Sequence, residues 1–252
     1  MTPIRLSPSS ARDFKTCPQL FKFRSVDRLP EPPSPAAARG TLVHAVLERL
    51  YELEPPARTP PMADTLLVEL LDELAASDEA AELGLAGDMK RRWLSESRRL
   101  LDNFFKLEDP RELTSGRLEW RVEYETPELH LRGIIDRIEE RPGGAWILSD
   151  YKTGRVPSEA RERQAFFALR FYALVCWRAF GVMPEQIRLL YLSDPQVLTL
   201  EPQERMLVAF ERQMTALAKA VARALATGDW RTRPSALCAG CSFRELCPAY
   251  TA

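Results

Sequence analysis

The spacing of apolar and polar positions changes period partway along the chain. Leu118, Trp120, Val122 and Tyr124 are apolar, and they alternate with Glu119, Arg121, Glu123 and Glu125. That two-residue period predicts a half-buried strand. Two more strands are expected at about Leu129–Glu139 and Ala145–Lys152, joined by the turn Arg141-Pro142-Gly143-Gly144. A helix then spans about Glu159–Phe180, stopped by Gly181 with Pro184 beyond, before a fourth strand at Ile187–Leu192. A strand–helix–strand unit of this length implies a parallel, right-handed crossover. A long helix over about Pro202–Thr227 and a cysteine-bearing tail close the chain.

The N-terminal part reads as helical. Ser7-Pro8-Ser9-Ser10 is a helix start, and Phe14, Cys17, Leu20 and Phe21 recur at helical spacing in a segment reaching about Leu29. Proline-rich stretches at Pro30–Pro35 and Pro55–Pro61 read as loops or linkers. Arg39-Gly40-Thr41 opens an apolar helix with Leu42, Val43, Val46, Leu47 and Leu50, and Met62–Phe105 is helical with a break near Gly84–Gly87. No internal repeat is visible. The order of elements predicts an α/β fold with a central mixed sheet flanked by helices.

The chain has 252 residues, enough for one large domain or two small ones, with ordinary hydrophobic (45%) and charged (28%) fractions. The N-terminus has no apolar signal core, and no apolar run approaches the ~18 residues of a membrane span. No membrane association and a cytoplasmic location are therefore expected. A net charge of −1 means that any nucleic-acid binding must rest on local positive charge. Lys90, Arg91, Arg92, Arg98 and Arg99 form one basic stripe, readable as a phosphate-binding surface or as a solvated helix face. Trp93, Phe104 and Phe105 beside it are either stacking residues or core. No G-x-x-x-x-G-K-[ST] pattern occurs, so ATP binding by a P-loop is not expected.

Asp136, Asp150 and Lys152 carry the candidate chemistry. Asp150 and Lys152 lie two apart on one strand and share a face. The midpoint of 136 and 150 is Gly143, in the turn, so a symmetric hairpin sets Asp136 opposite Asp150, roughly 4.5–5.5 Å apart at Cβ. Two such carboxylates repel unless a cation compensates them, and Mg²⁺ or Mn²⁺ prefers hard oxygen ligands. Lys152 beside that metal would orient or help deprotonate a water, or stabilise charge on a phosphate. An exposed salt-bridge cluster is the plainer reading of the same spacing.

Gly133-Ile134-Ile135-Asp136-Arg137-Ile138, followed by Asp150-Tyr151-Lys152-Thr153-Gly154, resembles the core of the RecB-like PD-(D/E)XK nucleases. Gly40-Thr41-Leu42-Val43-His44 with Leu47-Glu48 is similar to that family's helix bearing a metal-binding His, and Leu6-Ser7-Pro8-Ser9 with Cys17-Pro18 resembles its N-terminal motif. The resemblance implies a restriction-endonuclease-like core within a single nuclease domain over 1–252. A helical insertion would cover about 55–110 and a cysteine segment 228–252. It implies metal ligation by His44, Asp136, Asp150 and the Tyr151 carbonyl, with Lys152 serving the attacking water. The family usually places a Gln four residues before a Tyr in the next helix. Here Tyr172 stands but position 168 is Ala, and Gln164, a turn further upstream, is the candidate replacement for substrate binding. Glu48 reads as a partner of His44 or a solvated residue. Glu123 reads as a second-metal ligand or a surface Glu. His130 matches no motif.

Five cysteines in a chain of this kind do not suggest a disulfide framework. Cys238, Cys241 and Cys247, with Cys17 before Pro18, offer four thiolates that suit a [4Fe-4S] cluster or a tetrahedral zinc. This split arrangement resembles the iron–sulfur branch of the superfamily, including the AddB nuclease domain and small CRISPR-associated exonucleases. It implies a cluster tying the chain ends together. Cys176 among Leu174, Val175 and Trp177 is a core residue. The implied activity is a metal-dependent deoxyribonuclease, an exonuclease on single-stranded DNA ends in repair or recombination, with a separate helicase to supply the strand. A catalytically inactive DNA-binding or scaffold module keeping the fold is the alternative.

Overall fold

The computed structural model describes residues 2–113, 116–158 and 164–251. Its frame is a mixed sheet in which both faces are covered. The first elements are β1 (Ile4–Leu6), α1 (Pro8–Thr16) and α2 (Pro18–Phe21). Ser7 caps α1 reciprocally with Ser10, which turns the chain directly from strand into helix. Cys17 stands between α1 and α2, so the single N-terminal helix expected from spacing is broken there. Both proline-rich stretches end in helix starts. Pro35 opens α3 (Pro35–Glu52) behind the Ser34 cap, four residues before the expected Arg39, and Pro60 opens α4 (Pro60–Ala75) behind Thr59. Then come α5 (Glu79–Glu82) and α6 (Gly87–Leu107), separated near Gly84–Gly87 as the pattern indicated.

Strands β2 (Gly116–Glu125), β3 (Leu129–Glu140) and β4 (Trp146–Lys152) follow. Helix α7 (Phe167–Phe180) crosses from β4 to β5 (Gln186–Tyr191), which pair in parallel as expected. The start expected for this helix at Glu159 lies outside the described residues. β6 (Gln196–Leu200) adds an antiparallel edge, and α8 (Glu204–Thr227) precedes the tail. β1 and β6 were not expected. A three-residue strand is too short to show a period, and β6 is half-buried without clean alternation.

Strand β3 organises the sheet. β2 runs antiparallel along one edge, from Gly116↔Glu139 to Glu125↔His130. The other edge is divided: β1 pairs in parallel with Leu129–Leu131, and β4 pairs antiparallel with Arg137–Glu140. Between Leu131 and Arg137 that edge carries no strand among the described residues. Helices α1, α7 and α8 bury one face of the sheet around Leu131, Leu148, Leu169 and Leu189. The other face packs Tyr151, Leu190 and Leu192 against α3, α4 and α6. Cover on both faces buries β4 along almost its whole length, Ser149 and Asp150 included.

Candidate active site

The β3–β4 ladder ends at Arg137↔Ser149, one pair short of Asp136 and Asp150. The turn-midpoint register therefore holds, and the two carboxylates come next where the strands part. Gly143 and Gly144, with φ of 90° and 84°, make that turn; an L side chain there would be strained. Asp136 Oδ2 accepts the Tyr151 backbone N–H at 2.9 Å and lies 3.4 Å from His44 Nδ1. His44 Nε2 is 2.9 Å from the Tyr151 carbonyl oxygen. The imidazole of α3 thus bridges the two strands at the open edge of β3.

Asp150 is 6% exposed, and its Oδ2 lies against the Lys152 ammonium as an ion pair without an aligned hydrogen-bond donor. Burial, and then the neighbouring charge of Asp150, raise the Asp136 carboxyl to about 7; His44, the Tyr151 N–H and Lys152 pull against that rise. Burial pulls the Lys152 ammonium down, but attraction to Asp150 and Asp136 outweighs it and holds the group above its ordinary value.

Glu119 completes the group, and sequence reasoning missed it. Its neighbours pair as Leu118↔Arg137 and Trp120↔Ile135, so Glu119 falls across from Asp136 but drops out of the ladder. Its φ is 40°, uncommon for a residue other than glycine. Burial and the charges of Glu48 and Asp150 raise its carboxyl, while His44 lowers it. Ligand atoms of His44, Glu119 and Asp136 all lie within 4.8 Å of one another. The available signal was the turn at Thr126-Pro127-Glu128-Leu129: its midpoint falls between Pro127 and Glu128, and the argument used for Asp150 then sets Glu119 opposite Asp136. Glu123, considered for a second metal, instead lies 3.1 Å from His130.

One imidazole nitrogen and two carboxylate oxygens converge, and the Asp150 carboxylate, paired with Lys152, is near enough to Asp136 to raise its carboxyl. This donor set fits a hard divalent cation. Tyr172 on α7 packs against β3 at Gly133, where an added Cβ would come within 2.5 Å of the ring. Burial, then Asp150 and Asp136, push its hydroxyl well above the ordinary tyrosine range. Gln164 is exposed and lines a separate cavity with Arg12, Lys15 and Phe167, so the structure does not bring it to Tyr172.

Three other expectations are settled by position. Of the stripe on α6, Lys90, Arg91, Arg92 and Arg98 each pair with a carboxylate, which compensates most of its charge; no ion pair is formed by Arg99 among the described residues. Trp93 and Phe104 are buried between α6 and the sheet and cannot stack on a ligand. Cys176 is buried in the core, which pushes its thiol up to about 12. Cys17, Cys238, Cys241 and Cys247 line one cavity of about 60 Å³. They do not meet the 4.8 Å spacing that His44, Glu119 and Asp136 meet. No helix among the described residues is long and apolar enough to cross a membrane.

The family model described as the PD-(D/E)XK nuclease superfamily matches residues 5–248. Among solved structures, a protein described as “Putative exonuclease” from Eubacterium rectale is similar over 98% of this chain and 87% of its own, with 12% identity and a TM-score of 0.59. At that identity the likeness speaks for the fold. A protein described as SSO0001 covers 98% of this chain and 86% of its own at 14% identity and a TM-score of 0.44, too distant to carry an argument. No curated protein matches the chain.

Proposed function

The chain belongs to the PD-(D/E)XK nuclease superfamily, and from that premise we propose that it is a metal-dependent exonuclease acting on single-stranded DNA ends. The convergence of His44, Glu119 and Asp136 beside Asp150 and Lys152 carries this reading. In it, His44, Glu119, Asp136, Asp150 and the Tyr151 carbonyl hold Mg²⁺ or Mn²⁺ within one nuclease domain. A bound divalent cation supplies Lewis acidity and lowers the pKa of its water. Lys152, kept as an ammonium by two carboxylates, suits steadying negative charge on the phosphate and orienting the attacking water better than removing its proton. His44 fixes the geometry by engaging both Asp136 and the Tyr151 carbonyl. Repair or recombination is the setting, with a separate helicase supplying the strand and no ATP bound by this chain.

The iron–sulfur branch is part of the same proposal. What supports it is that Cys17, Cys238, Cys241 and Cys247 line one cavity, four thiols of the kind a [4Fe-4S] cluster takes. A colourless, zinc-containing preparation made anaerobically would sink this part alone.

The decisive assay follows end-labelled single-stranded DNA with Mg²⁺ or Mn²⁺, comparing wild type with Asp150→Ala, Lys152→Ala and Glu119→Ala. Metal-dependent shortening is expected in the wild type. Asp150→Ala and Lys152→Ala should lose it by 100-fold or more, on the order of 3 kcal/mol of barrier. No cleavage of single-stranded or duplex DNA by cluster-loaded wild type would replace this reading with a non-catalytic DNA-binding module, as the Ala168 departure would then suggest.

A further inference from the structure

A cavity of about 830 Å³ opens where β1 and α1 meet the first residues of β3. Its charged lining is Arg5, Arg24, Arg28 and Arg132 against Asp13 and Glu31. Arg24 already spans both acids, 2.9 Å from Asp13 and 2.7 Å from Glu31. That leaves Arg5, Arg28 and Arg132, all exposed and without a carboxylate partner among the described residues. Hydroxyls of Ser7 and Ser9 lie on the same wall. Three unpaired guanidiniums around one concavity, in a chain of net charge −1, constitute a local excess of positive charge. Guanidinium forks match the oxygens of a phosphate, and hydroxyls complete such a shell.

The cavity leads toward the candidate active site. A second cavity, of about 530 Å³, shares Ser7 and Arg132 with it and continues along β2 and β3 past Arg121 and Gly133 to Ile134. Arg121 and Ile134 are ladder partners, and Ile134 is 41% exposed, an apolar floor in a polar groove. Asp136 lies two residues further. Four steps along the strand lead from Arg132 to Asp136, about 13 Å at ~3.3 Å each, a distance that a short single strand bridges.

We propose that Arg5, Arg28 and Arg132 form a phosphate-binding subsite for the nucleic-acid strand, a short way along it from the phosphate presented to Asp136 and Asp150. This rests on the nuclease reading. The phosphate held is either the terminal one of the strand or an internal phosphodiester, and the recognition chemistry is the same.

The test is binding of a labelled 12-nucleotide single strand, with and without terminal phosphates, measured by fluorescence anisotropy in EDTA over a range of salt. The Arg5→Gln/Arg132→Gln double variant should bind about tenfold or more weakly. Its log affinity should fall less steeply with log salt, by about 1.4 at roughly 0.7 per lost contact. Lysine at both positions should restore the slope, and unchanged melting temperatures show that the variants fold. Weakening confined to strands with a terminal phosphate assigns the subsite to the end; equal weakening assigns it to an internal phosphodiester. Unaltered affinity and slope in folded variants would overturn the subsite, as would a wild type that binds no strand. Manganese-dependent hydrolysis of a mononucleotide nitrophenyl ester by the wild type tests the nuclease reading separately, because that ester is too short to span the groove. No hydrolysis together with weakened strand binding in the variants would sink the nuclease reading and keep the subsite.

Discussion

Asp136 shows what the site costs the fold. Its carboxyl is buried beside Asp150 and raised to about 7, against an ordinary value of 3.8. Between about pH 4 and pH 7 the unfolded chain has lost this proton while the native one keeps it. The native state then binds more protons, so its stability falls as pH rises through that window and levels off above it. The metal-free protein should therefore melt at a lower temperature at pH 8 than at pH 5.5. Asp136→Asn should remove this share of the slope and raise stability at pH 8 by on the order of 1–4 kcal/mol. Calorimetry of both proteins in EDTA across pH 5–8 checks it, and parallel slopes would refute the account. A divalent cation should act in the opposite sense, stabilising more as pH rises, because its ligands must be deprotonated. Asp136 and Asp150 were legible in the sequence because a two-residue period and a glycine turn fix what faces what. Glu119 was hidden, because alternation assigns it to an ordinary polar face and only a second register argument brings it across from Asp136.

At the scale of elements, the site depends on how α3 sits against β3 and β4. Arg137, next to Asp136, is 2% exposed and donates to Glu108 Oε2 at 2.8 Å and to the Tyr51 hydroxyl. Tyr51 donates to Glu108 Oε1 at 2.7 Å. Tyr51 lies two turns beyond His44 on α3, so this buried network sets the helix that carries the imidazole against the strand that carries the carboxylate. Burial alone would raise the Glu108 carboxyl; Arg137, Tyr51 and Arg188 outweigh it and hold the group below its ordinary value. Glu108→Ala would strand the Arg137 charge in the interior and should destabilise the protein by about 3–5 kcal/mol. Denaturant unfolding measures that loss, and one below about 1 kcal/mol would mean that Arg137 finds water instead. Strands β2 to β5, the parallel crossover and the hairpin register were readable from period and turn chemistry. The ion network was not, because Glu108 and Arg137 stand far apart in sequence and periodicity names no partners. The aromatics of α6 fall to the same limit: Trp93 and Phe104 look like stacking residues until the sheet is packed over them.

Across the whole molecule, the last segment returns to the first. Arg233 donates to the Lys15 carbonyl at 2.7 Å, Trp230 stacks on Phe21 with ring centroids 6.1 Å apart, and Phe243 meets Phe23 at 5.1 Å. Cys17 faces Cys238, Cys241 and Cys247 across one small cavity beside these contacts. Cys17 alone belongs to the N-terminal side, so an occupant bound by all four closes a loop of more than 200 residues through that one thiol. By analogy with a disulfide, closing a loop that long removes about 5 kcal/mol of unfolded-state entropy. In a domain of this size 1 kcal/mol moves the melting temperature about 2–4 °C. Cys17→Ser should therefore lower the melting temperature of the loaded protein by on the order of 10–20 °C, and removing the occupant from the wild type should do about the same. Cys176→Ala, away from the cavity, should leave the visible absorbance of a cluster in place. If Cys17→Ser loses the absorbance but keeps its melting temperature, Arg233, Trp230 and Phe243 suffice to hold the ends together. An occupant of that cavity would then have no part in holding the two ends of the chain together.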